Sequence, residues 1–176
     1  MAEYYYFAAS LPMLRMDKDI PISYSEFMEK AKGYLSRRDY NDLKLAVFSS
    51  GEEKASLPIV REWQEFQNSL SKAICRIRAE RLGFSGYEDR NIDRNIESLA
   101  RDIVENKNPL EGEKAILGLY FDFLSSRESG SPFSSASLMI YALKLQIMEK
   151  ANAFDEEKGR AEFDKLYKVI EGNIKR

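Results

Sequence analysis

The chain has no histidine and a single cysteine, Cys75, in 176 residues. Without imidazole there is no His-dependent catalytic triad, no His-ligated zinc or haem and no imidazole pH switch. One thiol excludes an intrachain disulfide and any multi-cysteine metal site. An excess of one charge is also missing. Lys plus Arg number 27 against 29 Asp plus Glu, a net charge of -2, so there is no electrostatic reason to expect a strong nucleic-acid binder. Long apolar runs are absent too. The longest, Ile116 to Leu124 and Ala136 to Met148, fall short of the roughly 20 residues that a membrane-spanning helix needs. The apolar start, Tyr4 to Pro12, has no basic segment before it, so a secretory signal is not expected. A reduced, cytosolic setting is the simplest reading. Neither GxxxxGK[ST] nor GxGxxG occurs, so no nucleotide loop is expected. Gly83 and Gly86 lie three apart in a plain connector and read as structural.

What remains is a helix-forming chain with 44% hydrophobic and 32% charged residues, a balance that suits a globular protein rather than a disordered one. A chain of this length buries about 70% of its unfolded surface, enough for one core without covalent staples. One helical domain over residues 1–176 is expected, with a looser N-terminal lobe to about residue 50 and the main core from 56 onward. The predicted fold is all-α: six to seven helices in an irregular orthogonal bundle, with a long central helix near residues 58–82.

The local signals are those of helix starts and apolar stripes. Ser23-x-x-Glu26 is a capping box, followed by Phe27, Ala31 and Tyr34. Ser36 and Asp39 repeat the signal ahead of Tyr40, Leu43 and Val47. Residues 49 to 57 read as a loop, and Pro58 suits a first helical turn. The stripe that follows, Trp63, Phe66, Leu70, Ala73 and Ile77, keeps gaps of three and four. Gly83 is its natural stop. Ile92, Ile96, Leu99 and Ile103 mark another amphipathic helix, and Asn108-Pro109 starts the next. That segment holds Leu117 and Tyr120 in a nearly continuous apolar run. A buried strand competes for it, but the cap signal and the flanking residues favour a helix. Ser131-Pro132 repeats the cap-and-proline pattern before Leu138, Tyr141, Leu145 and Met148. Asp155 opens a last helix with Phe163, Leu166, Tyr167 and Ile170, either separate or a bent continuation. The expected core anchors are therefore Trp63, Phe66, Leu70, Ile77, Leu117, Tyr120 and Leu145.

Candidates for chemistry are few. Cys75 lies beside the Ala73–Ile77 seam with no histidine to activate it, and reads as a half-buried structural thiol. Asp122 stands alone in an apolar run. It reads as the solvated edge of that helix, with a register-fixing ion pair or a catalytic acid as the sharper alternatives. Asp155-Glu156-Glu157 reads as a helix N-terminal charge set rather than a metal site. No catalytic, cofactor or metal residue is assigned. Lys72, Arg76, Arg78 and Arg81 make the second half of the Trp63 helix basic, and Arg37-Arg38 adds a smaller patch. Solvated cations at a helix C-terminus explain such a half. A docking surface for an acidic protein partner, centred on Lys72, Arg76 and Arg78, is the functional alternative.

Five segments point further: Tyr4-Tyr5-Tyr6-Phe7-Ala8-Ala9-Ser10-Leu11-Pro12, Val60 to Phe66, Ile77 to Gly83, Leu143 to Lys150, and Phe154 to Gly159. Together they resemble an uncharacterised bacterial family encoded among V-type ATPase genes, in the place of the C-type socket protein of the central stalk (called d in eukaryotes). The resemblance implies a non-catalytic helical subunit that couples the central stalk to the membrane ring, with ATP hydrolysed elsewhere. It implies other V-type ATPase subunits as partners, no cofactor, no small-molecule substrate, no nucleic acid and no direct membrane insertion. It places the chain in the cytoplasm, peripheral at the cytoplasmic face of the inner membrane. The C-type socket protein is longer and built of three related lobes, whereas this chain shows no internal repeat. A minimal version, a piece of a longer protein or a stalk-associated factor is expected. A general helical adaptor and a carboxylate-only enzyme are the alternatives from other classes.

Overall fold

A computed structural model describes residues 4–48, 58–84, 93–106, 108–128 and 132–154, with Phe163, Asp164 and Tyr167. These residues form the helices α1 (Tyr5–Ser10), α2 (Tyr24–Tyr34), α3 (Arg37–Leu45), α4 (Pro58–Arg81), α5 (Arg94–Glu105), α6 (Pro109–Ser125) and α7 (Ser135–Asn152). The fold is all-α. No helix among the described residues is long and apolar enough to cross a membrane.

Side-chain caps set most of the helix starts. Ser23 Oγ accepts from the Glu26 amide at 3.1 Å, and Ser36 Oγ from the Asp39 amide at 3.1 Å. Asn108 Oδ1 accepts from the Leu110 amide at 3.0 Å, with Pro109 in the first turn. Each satisfies one of the amides that a helix start leaves unpaired, worth about 1 kcal/mol. The segment Ile116 to Leu124 is helical within α6, so the strand alternative falls away. At the far end of α4, Gly83 adopts φ 76°, a left-handed conformation that suits glycine and stops the helix.

Two boundaries differ from the sequence expectation. The start of α7 is capped by Ser134, whose Oγ accepts from the Ser137 amide at 3.3 Å, and Pro132 lies in the turn before it. Val47 falls beyond the end of α3 and is exposed, while Ala46 is buried in its stead. The expected cap at Asp155 and most of the last helix lie outside the described residues. Of that helix, residues 163, 164 and 167 are helical, with the Phe163 and Tyr167 rings 6.4 Å apart.

The longest helix among the described residues is α4, at 24 residues, but α7 is the hub. Ten of its residues are buried, and it touches α2, α3, α4 and α6. A helix apolar nearly all round must be covered on every side. Contacts between α4 and α6 run in opposite order along the two helices. Glu62 pairs with Arg127 at 3.5 Å, and Phe66 stacks on Phe123 at 4.1 Å, so the helices are antiparallel. Contacts from α4 to α5 advance together, Arg76 to Glu97 and Arg81 to the Val104 carbonyl, so that pair runs in the same sense. Gly112 is buried where α6 faces α5, and a Cβ there would make only an ordinary contact, 3.6 Å from the Ile103 carbonyl oxygen.

The helices before residue 50 belong to the same buried cluster as the rest, which runs from Phe7 to Met148. Phe7 packs on Phe27, and Phe27 on Tyr141 of α7, with ring centroids 5.8 and 5.3 Å apart. Backbone is tied down as well. Gln146 of α7 donates to the Ala46 carbonyl and accepts from the Phe48 amide, both at 2.9 Å. Glu149 accepts from the Tyr24 amide at 2.7 Å, placing a carboxylate at the positive end of α2. The Tyr4 hydroxyl donates to Asp39 and accepts from the Ser36 amide, and the Tyr4 amide donates to the Phe133 carbonyl.

Candidate functional site

The basic half of α4 is not one surface. The helical repeat sends its cations in different directions, and the neighbours decide their roles. Arg76 points toward α5. Its side chain is 16% exposed, with Nη2 2.5 Å from Glu97 Oε1 and Nε 3.5 Å from Glu80 Oε1. Arg81 Nη1 donates to the Val104 carbonyl at 2.5 Å, filling an acceptor that the last turn of α5 leaves open. Lys72 and Arg78 are exposed. The expected set Lys72, Arg76 and Arg78 is therefore corrected: Arg76 is an interhelix tie, not an outward-facing docking cation. Sequence spacing puts Arg76 next to Ile77 without showing that α5 covers its flank.

Glu97 feels the tie. The Arg76 hydrogen bond holds its carboxyl below the usual range, with Arg101 adding a smaller pull at 3.4 Å. A carboxyl depressed in the folded state contributes stability above its unfolded pKa and loses it as the pH falls through the folded value. Arg76→Glu brings three carboxylates together and is expected to destabilise by about 2 kcal/mol, while Arg78→Glu changes stability by less than about 0.5 kcal/mol. Urea midpoints at pH 7 compare the two directly, and equal midpoints would refute the assignment. With Arg76→Gln, the fall in stability on acidification should become shallower.

The remaining expected residues are placed as follows. Trp63, Leu70, Ile77, Leu117, Tyr120 and Leu145 are buried, and Phe66 is partly buried against the same core. Cys75 is exposed rather than half-buried, because the core edge of α4 passes through Ile74 and Ile77 on either side of it. Asp122 is exposed, on the solvated edge of α6. Asp155, Glu156 and Glu157 lie outside the described residues. Among the described residues no three metal-ligating side chains cluster.

Two polar features went unread in the sequence. Lys144, in the middle of α7, has a side chain only 4% exposed. Its Nζ bonds Glu128 Oε1 at 2.7 Å and sits 4.6 Å from the centre of the Phe121 ring. A lysine between Leu143 and Leu145, in a helix apolar on nearly every side, was the available signal. The second is a cavity of about 220 Å³ where α4, α6 and the end of α7 meet. Arg78 of α4, Glu113 of α6 and Lys150 of α7 line it, above an apolar floor that includes Ile74 and Leu117. Tyr120 lines it too. Burial pushes the Tyr120 hydroxyl pKa up, and the Glu113 carboxylate pushes it further. No sequence motif joins these residues, because the antiparallel packing of α4 on α6 creates the site.

No protein-family model, curated protein or solved structure matches this chain.

Proposed function

We propose that this protein is a non-catalytic helical subunit or accessory factor of a V-type ATPase, coupling the central stalk to the membrane ring. The observation that carries the reading is where the family-like segments lie. Tyr4 ties the N-terminus to the start of α3 and to Phe133 ahead of α7. Val60 to Phe66 brings the buried Trp63 to α4, and Leu143 to Lys150 is the hub half of α7. Three of the five segments thus contain residues that hold a helical scaffold together, as expected of a part that transmits force between partners. Arg76, Lys144, Gln146 and Glu149 join elements of this scaffold. The partners on this reading are the other subunits of the pump, met at the cytoplasmic face of the inner membrane.

Coupling is tested in inverted membrane vesicles from the native host. Deleting the gene should abolish ATP-driven ion uptake while ATP hydrolysis persists in the detached catalytic head. Uptake equal to wild type, at an equal amount of catalytic head, would refute the role.

A further inference from the structure

We infer that the cavity between α4, α6 and the end of α7 binds a free α-amino acid with an apolar side chain. The inference is independent of the ATPase reading and concerns a ligand, not a substrate. Its size fits: about 220 Å³ lies below the roughly 300–1,000 Å³ of sites for drug-sized molecules. Its chemistry is a zwitterion's complement. Arg78 and Lys150 supply two cations at the rim, and Glu113 one carboxylate. Among the described residues Arg78 and Glu113 form no ion pair, and the Lys150 ammonium lies over the Phe48 ring, 4.6 Å from its centre. All three charges are exposed and solvated, and together they present both signs at the rim of one apolar-floored space.

Gln67 narrows the class. It lines the cavity, and its Nε2 donates to the Phe48 carbonyl at 2.9 Å, which fixes the amide. Its Oε1 is buried without any hydrogen-bond donor. A buried acceptor left unmet is unfavourable. A simple carboxylate would serve Arg78 and Lys150 but bring no donor to Gln67, and no simple anion brings a countercharge to Glu113. A simple amine would leave the two cations unmet. An ammonium and a carboxylate on one carbon answer both needs, and an aliphatic or aromatic side chain covers Ile74 and Leu117.

Isothermal titration calorimetry of the whole chain tests this with L-leucine, L-phenylalanine, isovalerate, isopentylamine and inorganic phosphate. Leucine or phenylalanine should bind with a Kd below about 1 mM, and isovalerate and isopentylamine at least about tenfold more weakly. Arg78→Ala should weaken amino-acid binding about tenfold and leave isopentylamine unchanged. Glu113→Gln should weaken the amino acid and isopentylamine and leave isovalerate unchanged. Both side chains are exposed, so both variants should fold, and circular dichroism checks that they do. Absence of binding by both amino acids at about 10 mM would overturn the inference. So would phosphate or isovalerate binding as tightly as leucine, or variants that bind like wild type.

Discussion

Trp63→Ala is expected to lower stability by about 3–5 kcal/mol, a large part of the 5–15 kcal/mol margin of a typical domain. The side chain is 0% exposed. Its ring meets Tyr120 edge-on with centroids 5.0 Å apart, and Phe48 and Phe123 each lie 6.2 Å away. Truncation therefore opens a void walled by three rings, two on α6 and one just beyond α3, where collapse is hard. The indole Nε1 is buried without a partner. Trp63→Phe removes that unmet donor while keeping most of the contact, so it should cost less than half as much as Trp63→Ala. Denaturant midpoints decide both points, and a Trp63→Ala midpoint equal to wild type would refute the placement.

Glu128→Ala should destabilise more than Lys144→Met, although both remove the same ion pair. The asymmetry follows from burial: the Lys144 side chain is 4% exposed and that of Glu128 48%. Losing Glu128 strands an ammonium inside the core with only the Phe121 ring for company, at a cost of about 3 kcal/mol. Losing Lys144 leaves a carboxylate that water can reach, and Met fills the lysine's volume with apolar atoms, so the change should stay within about 1 kcal/mol. Chemical denaturation of the two variants gives the comparison. A reversed order would show that Lys144 reaches solvent through motion.

The helices were legible in the sequence because local signals specified them. The gaps of three and four from Trp63 to Ile77 and the caps at Ser23, Ser36 and Asn108 act within a few residues. Register at α7 was less legible: the sequence signal is Ser131-Pro132, whereas the cap that forms is Ser134. The site was mostly illegible. Arg76 looked like a surface cation because its partner Glu97 lies on another helix, and the Arg78–Glu113–Lys150 cavity draws one charge from each of three helices. Charge on a helix can be read from sequence. The neighbour that neutralises it cannot, when the contact is set by how helices cross.

Affinity purification of the tagged protein from its native host in mild detergent, with the recovered proteins identified by mass spectrometry, tests the coupling role most directly. Central-stalk and membrane-ring subunits of the V-type ATPase are expected to co-purify in stoichiometric amounts. Consistent recovery without them, from cells that contain the assembled pump, would contradict it.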